Sequence, residues 1–392
     1  MSTPDFDEVI NRVGTHSAKW DHMEKLFGVS PDEGIPMWVA DMDFRPPAAV
    51  QCALEAVVEK GVYGYFGDDA NYRAAICWWM QNRHGWTVQP DWIFTTHGLV
   101  NGTGLCVETY TDPGDGVILF TPVYHAFARV IRMANREVVE LPLVRDGQRF
   151  TMDFEAYEAK LTGREKMLIL CSPHNPGGQV WSRQELEGVA AFARKHDLLI
   201  VSDEIHHDLV FPGQKHIAMP LIDGIEDRLV TMTAASKTFN LAGVHAGNVI
   251  IPNEALRERF AAKMGAFGIS PNGFAPHMIA AAYSPEGAAW LDALIAYLAE
   301  NARIFDEGVA KIPGLKSIPL EATYLAWVDF SGTGMSREEF TNRIEKTAKI
   351  AASHGDSFGT GGENFMRFNL ATRRALVVEA VTRLQKAFAD LQ

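Results

Sequence analysis

The chain has 392 residues, 47% hydrophobic and 22% charged, with 49 acidic against 36 basic side chains for a formal net charge of −13. That length exceeds one small core and calls for two domains or one large α/β unit. The acidic balance, with no Lys/Arg block to offset it, argues against nucleic acid or an anionic membrane surface as partner.

The opening "MSTPDFDEVINRVG" has no basic end followed by an apolar stretch, so no secretory signal is expected. No run approaches the roughly 18 apolar residues of a membrane span. Cys52, Cys77, Cys106 and Cys171 lack CxxC or zinc spacing and sit in apolar contexts such as "AAICWW" and "LILCSP", as buried free thiols do. Together these features lead us to expect a soluble cytoplasmic protein.

From residue 92 short apolar runs recur: "WIFTT", "VILF", "VVEL", "MLIL", "LLIVS", "LVTMT" and "GNVII". Most lack strict alternation, the pattern of strands covered on both faces. Helical patterns lie between many of them. In "SRQELEGVAAFARKHD", Ser182 and Glu185 form a capping box, and Leu186, Val189, Ala190, Phe192 and Ala193 share one side. The alternation predicts an α/β fold with a mostly parallel sheet between helices. After "YSPEGAAW" the texture changes. A long helix is expected over about 286–311, with Leu291, Leu294, Ile295, Leu298 and Phe305 on one stripe. A strand-like "TYLAWVDF", a helix opened by Ser336, a short strand at "FMRFNL" and a final helix carrying Val377, Val381, Leu384, Phe388 and Leu391 follow. These compose a smaller α+β domain beginning near 290.

Ligands of an open parallel sheet bind outside the carboxyl ends of its strands. "MLIL" is followed by "CSPHNPGGQVW" with Asn175, "LLIVS" by "DEIHHDLVF" with Asp203 and His206, and "LVTMT" by "AASK" with Lys237. Each has a bland alternative. "NPGG" is a good turn whatever it binds, a lone lysine or an acidic pair is usually solvated, and His206 and His207, adjacent on a strand, would face opposite ways rather than share a metal. No metal site is therefore expected.

An amine, a carboxylate and an amide at one rim are what pyridoxal phosphate requires. Its aldehyde condenses with a lysine, and its ring nitrogen stays protonated beside a buried carboxylate. Asn175 and His206 can supply hydrogen bonds to its phenolic oxygen, and the helix start in "THGLVNGTG" can hold its phosphate. Tyr124 in "TPVYHAF" can cover the ring.

"SPHNPGG", "SDEIHHDLVF" and "ASKTFNLAG", in this order, resemble the fold type I pyridoxal-phosphate enzymes of the aspartate aminotransferase superfamily (class I/II). Within it the chain is most similar to the MalY/PatB-like cystathionine β-lyase, or C–S lyase, group, through "RVGTHSAKWD", "PMWVADMDF", "GVYGYFG", "DPGDGVILFTPVYHAF" and "ATYLAWVDF". The resemblance spans nearly the whole chain. It implies a large cofactor-binding domain over 46–289 with a seven-stranded sheet, a small domain over 290–392, and an N-terminal segment, 1–45, packing with the small domain. It also implies roles: Lys237 as the Schiff-base lysine and proton carrier, Asp203 on the pyridinium nitrogen, Asn175 and His206 on the phenolic oxygen and Tyr124 on the ring. Gly98, Leu99, Val100 and Ser236 would hold the phosphate. Tyr65 would reach the cofactor of the neighbouring subunit, which implies a homodimer with active sites at the interface. Arg367 would take the substrate α-carboxylate, and Ala40, Asn175 and Tyr324 would line the substrate side with Trp38 and Val39.

Two positions depart from the pattern. His245 stands where relatives carry arginine or glutamine near the phosphate, and Arg373 where proline is usual. His245 could make cofactor affinity depend on pH near neutrality.

The implied reaction is β-elimination from a sulfur-containing L-amino acid, giving pyruvate, ammonia and a thiol. Transamination between an L-amino acid and a 2-oxo acid is the alternative on the same residues, and a non-catalytic regulator on this fold is a third. A nicotinamide dehydrogenase is disfavoured because no GxGxxG opens a helix after a strand, and "FGTGGEN" lacks the Lys-Ser/Thr of a P-loop.

Overall fold

All seven apolar runs become strands of one sheet. The computed structural model describes residues 4–391. In chain order its strands are β1 (Ile35–Met37), β2 (Ile93–Thr96), β3 (Gly116–Thr121), β4 (Glu137–Pro142), β5 (Val144–Asp146), β6 (Arg149–Thr151) and β7 (Glu165–Cys171). They continue with β8 (Leu199–Asp203), β9 (Leu229–Thr233), β10 (Gly247–Ile250), β11 (Lys316–Ser317), β12 (Leu325–Asp329), β13 (Ile350–His354) and β14 (Phe365–Asn369).

The seven-stranded sheet has the order β2-β10-β9-β8-β7-β3-β4. Pairing from β4 through β3, β7 and β8 to β9 is parallel, and β10 runs antiparallel to both of its neighbours. Strands β3, β9 and β10 are buried at every position, which is why their sequences show apolar runs rather than alternation. The helix Arg183–Lys195 forms with the expected reciprocal cap between Ser182 and Glu185 and buries the five apolar residues of its stripe; such a cap contributes about 1 kcal/mol.

A second sheet has the order β1-β13-β14-β12-β11. Its edge strand comes from the N-terminal segment, since β1 pairs in parallel with β13. Sequence reading found neither strand: β1 spans three residues and β13 reads "IAASH", too little for a period to register. The long helix spans Pro285–Val309, started by the Ser284 side chain accepting from Gly287 N, and buries Leu291, Leu294, Leu298 and Phe305. The last helix, Arg374–Ala387, buries Val377, Val381 and Leu384. Among the described residues no helix is long and apolar enough to cross a membrane.

Register decides where the site falls. Cys171 of β7 pairs with Asp203 of β8, and Asp203 lies opposite Met232 of β9. The three strands therefore end at one rim, and whatever follows them emerges side by side.

Candidate active site

Each strand end is followed by a different local device. After β7, Gly178 holds φ +66°, and a Cβ there would lie 2.3 Å from Leu320 Cδ2, so glycine is required. The Gly178 carbonyl accepts from Glu321 N and Ala322 N, both at 2.8 Å, tying the "NPGG" loop to the segment before β12. After β8 the chain does not continue as a strand: Ile205–Asp208 form a turn, so the expectation of adjacent strand histidines is corrected. After β9, Lys237 sits on a single helical turn, Ala235–Thr238, rather than in a loop. After β2, Gly98 at φ +84° opens the helix Leu99–Tyr110, which has no side-chain cap. Its first N–H groups are free to face an anion.

These devices converge on a cavity of about 630 Å³ between the two sheets. Gly98, Leu99, Val100, Tyr124, Asn175, Asp203, His206, Ser236, Lys237, His245, Ala40 and Arg367 all line it, as do Trp38 and Val39. Tyr324 stands behind the lining, 1% exposed, with its hydroxyl donating to Ala40 O at 3.0 Å. Tyr65 is not brought into the site: its side chain is 107% exposed.

The cavity holds cations without carboxylate partners. Lys237 Nζ donates to Ala40 O at 2.6 Å. Arg367 Nη1 donates to Asn175 Oδ1 at 2.9 Å, and Nη2 to Trp38 O at 3.0 Å and Ser353 Oγ at 3.2 Å, while its buried Nε has no partner. Among the described residues no carboxylate lies within ion-pair distance of either. Burial, with Arg367 nearby, lowers the Lys237 ammonium to about 8, and burial lowers Arg367 to about 10. The Asp203 carboxyl is pushed up to about 7, also by burial, and its one side-chain hydrogen bond comes from Ile205 N at 3.0 Å. His206 is driven far below the ordinary histidine value by burial, and its buried Nδ1 has no partner. His125 is exposed at the cavity rim, where partial desolvation and the nearby Arg367 and Arg129 guanidinium groups lower it.

These unmet demands fit pyridoxal phosphate. A buried carboxylate lacking a cation matches a protonated ring nitrogen, since an opposite charge would favour its ionised form. The uncapped helix start beside Ser236 matches a phosphate, and an amine of lowered basicity matches an aldehyde. A guanidinium paired only with amide, carbonyl and hydroxyl oxygens matches a carboxylate not supplied by the chain.

Sequence reading missed Ser353 and His125 in the lining. Ser353 lies on the unanticipated β13, where it donates to Trp38 O at 2.9 Å and accepts from Arg367. His125 directly follows Tyr124, and that adjacency was the available signal.

A family model described as aminotransferase class I and II matches residues 39–384. Cystathionine β-lyase PatB of Bacillus subtilis (strain 168) is 40% identical over 388 residues, covering 98% of this chain and 100% of its own. Cystalysin from Treponema denticola, whose crystal structure contains a pyridoxal 5′-phosphate cofactor, superposes with a TM-score of 0.95 at 36% identity, covering 100% of both chains. The pyridoxal-phosphate-bound C–S lyase from Staphylococcus hominis superposes with a TM-score of 0.90 at 30% identity over 99% of this chain and 98% of its own.

Proposed function

The chain belongs to the class I and II aminotransferase family, and from that premise we propose that it is a pyridoxal 5′-phosphate-dependent C–S β-lyase. Its substrate class is a sulfur-containing L-amino acid of the cystathionine type, and its products are pyruvate, ammonia and a thiol. The observation that carries this reading is one cavity holding a half-buried amine at about 8 and a buried carboxyl at about 7, outside ion-pair distance of each other.

The bound cofactor supplies an aldehyde for amines and an electron sink for charge at the substrate α-carbon. Asp203 would accept the ring N–H, Asn175 and His206 would hydrogen-bond the phenolic oxygen, and Tyr124 would cover the ring. The first turn of the helix Leu99–Tyr110, with Ser236 and His245, would hold the phosphate. Lys237 is the base. At about 8 its amine is partly neutral near neutral pH, so once displaced by the substrate it can take the α-proton at Nζ and carry it. Arg367 fixes the substrate by a two-pronged bond to the α-carboxylate, which aligns the α-C–H towards Lys237. Ala40 and Tyr324 close the wall on that side and exclude water.

On the same reading 46–289 form the cofactor-binding domain, and 1–45 pack with 290–392, supported by the pairing of β1 with β13. The protein works as a homodimer. Supporting this, Val62, Tyr63, Tyr65 and Phe274 are exposed near one another, with the Tyr63 and Phe274 rings 5.7 Å apart, and Tyr65 is free to reach a partner's cofactor. Four free cysteines support a cytoplasmic, reducing setting.

The test is to supply cystathionine without a 2-oxo acid and follow pyruvate through a coupled dehydrogenase. Sustained pyruvate release at many turnovers is expected. Turnover only when a 2-oxo acid is added would assign the aminotransferase reaction instead.

A further inference from the structure

The turn after β8 has a second side. Asp203 and His206 face the cavity, whereas Glu204 and His207 face away from it into the interior. There the ligand atoms of Glu204, His207 and His216 lie within 4.8 Å of one another, all three residues buried. Glu204 Oε1 accepts from Ser202 Oγ at 3.0 Å and Met219 N at 2.8 Å, and Oε2 lies 2.8 Å from His216 Nε2. His207 is 1% exposed, yet neither of its ring nitrogens has a hydrogen-bond partner, and His216 Nδ1 has none.

Buried polar atoms are nearly always paired, so an imidazole left this short of partners points to an occupant. Asp208 meets only part of that demand, on the Nε2 side of the ring. Its carboxylate is held by Trp79 Nε1 at 3.0 Å, Thr238 Oγ1 at 2.7 Å and His84 Nε2 at 2.7 Å, and His207 Nε2 stands 3.3 Å away without hydrogen-bond geometry. Two imidazoles and a carboxylate converging in the buried interior are a donor set for a borderline-soft divalent ion. Two buried carboxylates, Glu204 and Asp208, add a charge demand that a doubly positive ion meets.

We propose that Glu204, His207 and His216 bind one divalent transition-metal ion of the zinc class. Asp208, beside the His207 ring, orients that ring as an outer carboxylate does for a metal-bound imidazole. The ion is structural. It fixes the turn whose other side presents Asp203 and His206 to the cavity. The adjacency of two histidines, which argued against a shared metal, thus divides them between two sites. The partner His216 comes from nine positions further along the chain.

The test is metal analysis of the purified holoenzyme after dialysis in metal-free buffer. About one zinc-class ion per chain is expected, with chelator dialysis lowering the thermal midpoint by about 3 °C or more and added Zn²⁺ restoring it. His207→Asn and His216→Asn should each lose the ion. Metal-free protein whose midpoint ignores both Zn²⁺ and chelator would overturn the proposal, leaving a buried water at the site. Metal retained in both variants would overturn it as well. Should the variants not fold, Co²⁺ added to chelator-treated wild type replaces them: ligand-field absorption of a tetrahedral nitrogen–oxygen site is expected, and its absence contradicts the assignment. None of these readouts depends on pyruvate formation, so a failed lyase assay leaves them standing.

Discussion

Two lysines, Lys19 fully buried and Lys237 half-buried, flank the same short segment, Ala40–Asp43, and they are put to opposite uses. Lys19, fully buried, donates to Asp43 Oδ2 at 2.8 Å and lies 3.7 Å from Asp41 Oδ1, while Arg12 bonds the same two carboxylates at 2.8 Å each. Lys237, on the cavity side, has only the Ala40 carbonyl. The carboxylates follow suit: burial pushes Asp43 up, but Lys19 and Arg12 hold it below the ordinary value, whereas burial of Asp203 outweighs the Ile205 N–H and the more distant Lys237. A buried charge that is fully paired holds the chain together. One left with an unmet demand is waiting for a ligand.

The largest expected contrast comes from removing each amine. Lys237→Ala should lower lyase turnover by about 10³-fold or more and abolish the visible absorbance of the lysine-bound cofactor, with the fold retained by circular dichroism. Lys19→Ala should instead lose about 1.5–3 kcal/mol of stability by removing one of the two cations that share Asp41 and Asp43, read by denaturant unfolding, while whatever remains folded keeps the absorbance.

The two aspartates sharpen the comparison through pH. Asp203 in the cofactor-free protein titrates near 7, above its unfolded value, so the folded state binds the extra proton and stability falls as pH rises from about 4 to 7. Asp203→Asn should therefore gain on wild type across that window, by roughly 2–4 kcal/mol at its top. Asp43, whose folded value is depressed, should behave oppositely. Its contribution is present above the ordinary carboxylate range and is lost as pH falls below it, so Asp43→Asn should be the less stable protein at neutral pH. Denaturant midpoints across pH distinguish the two slopes.

Smaller effects are expected at the rim of the cavity. Arg367→Ala should raise KM for the amino acid by about 10²-fold, the cost of losing a buried charge-assisted contact, with a lesser fall in kcat. His245→Gln should change the cofactor dissociation constant by only about 3–10-fold, the range of one exposed phosphate contact, measured by fluorescence titration.

Much of this was legible in the sequence because the site hangs on strand ends. Apolar runs located β2, β3, β4, β7, β8, β9 and β10, and the polar residues after them gave Asn175, Asp203 and Lys237. What could not be read depends on contacts between distant segments. The Ala40 carbonyl meets Lys237 across 197 residues, and Arg367 meets Asn175 across 192. Strands β1 and β13 are too short to carry a period, so Ser353 went unseen. Nothing in "DEIHHD" marks the turn after β8, because it carries no Gly, Pro or Asn. Its interior-facing histidine meets residues that sequence order alone could not assemble.

The central claim is that Lys237, not its paired counterpart Lys19, captures the cofactor. Borohydride reduction of the protein with pyridoxal phosphate, followed by peptide mass mapping, tests it at the residue itself. We expect one phosphopyridoxyl group, on the peptide containing Lys237. A label on Lys19 or another lysine, or no label in protein that binds the cofactor, would contradict the assignment.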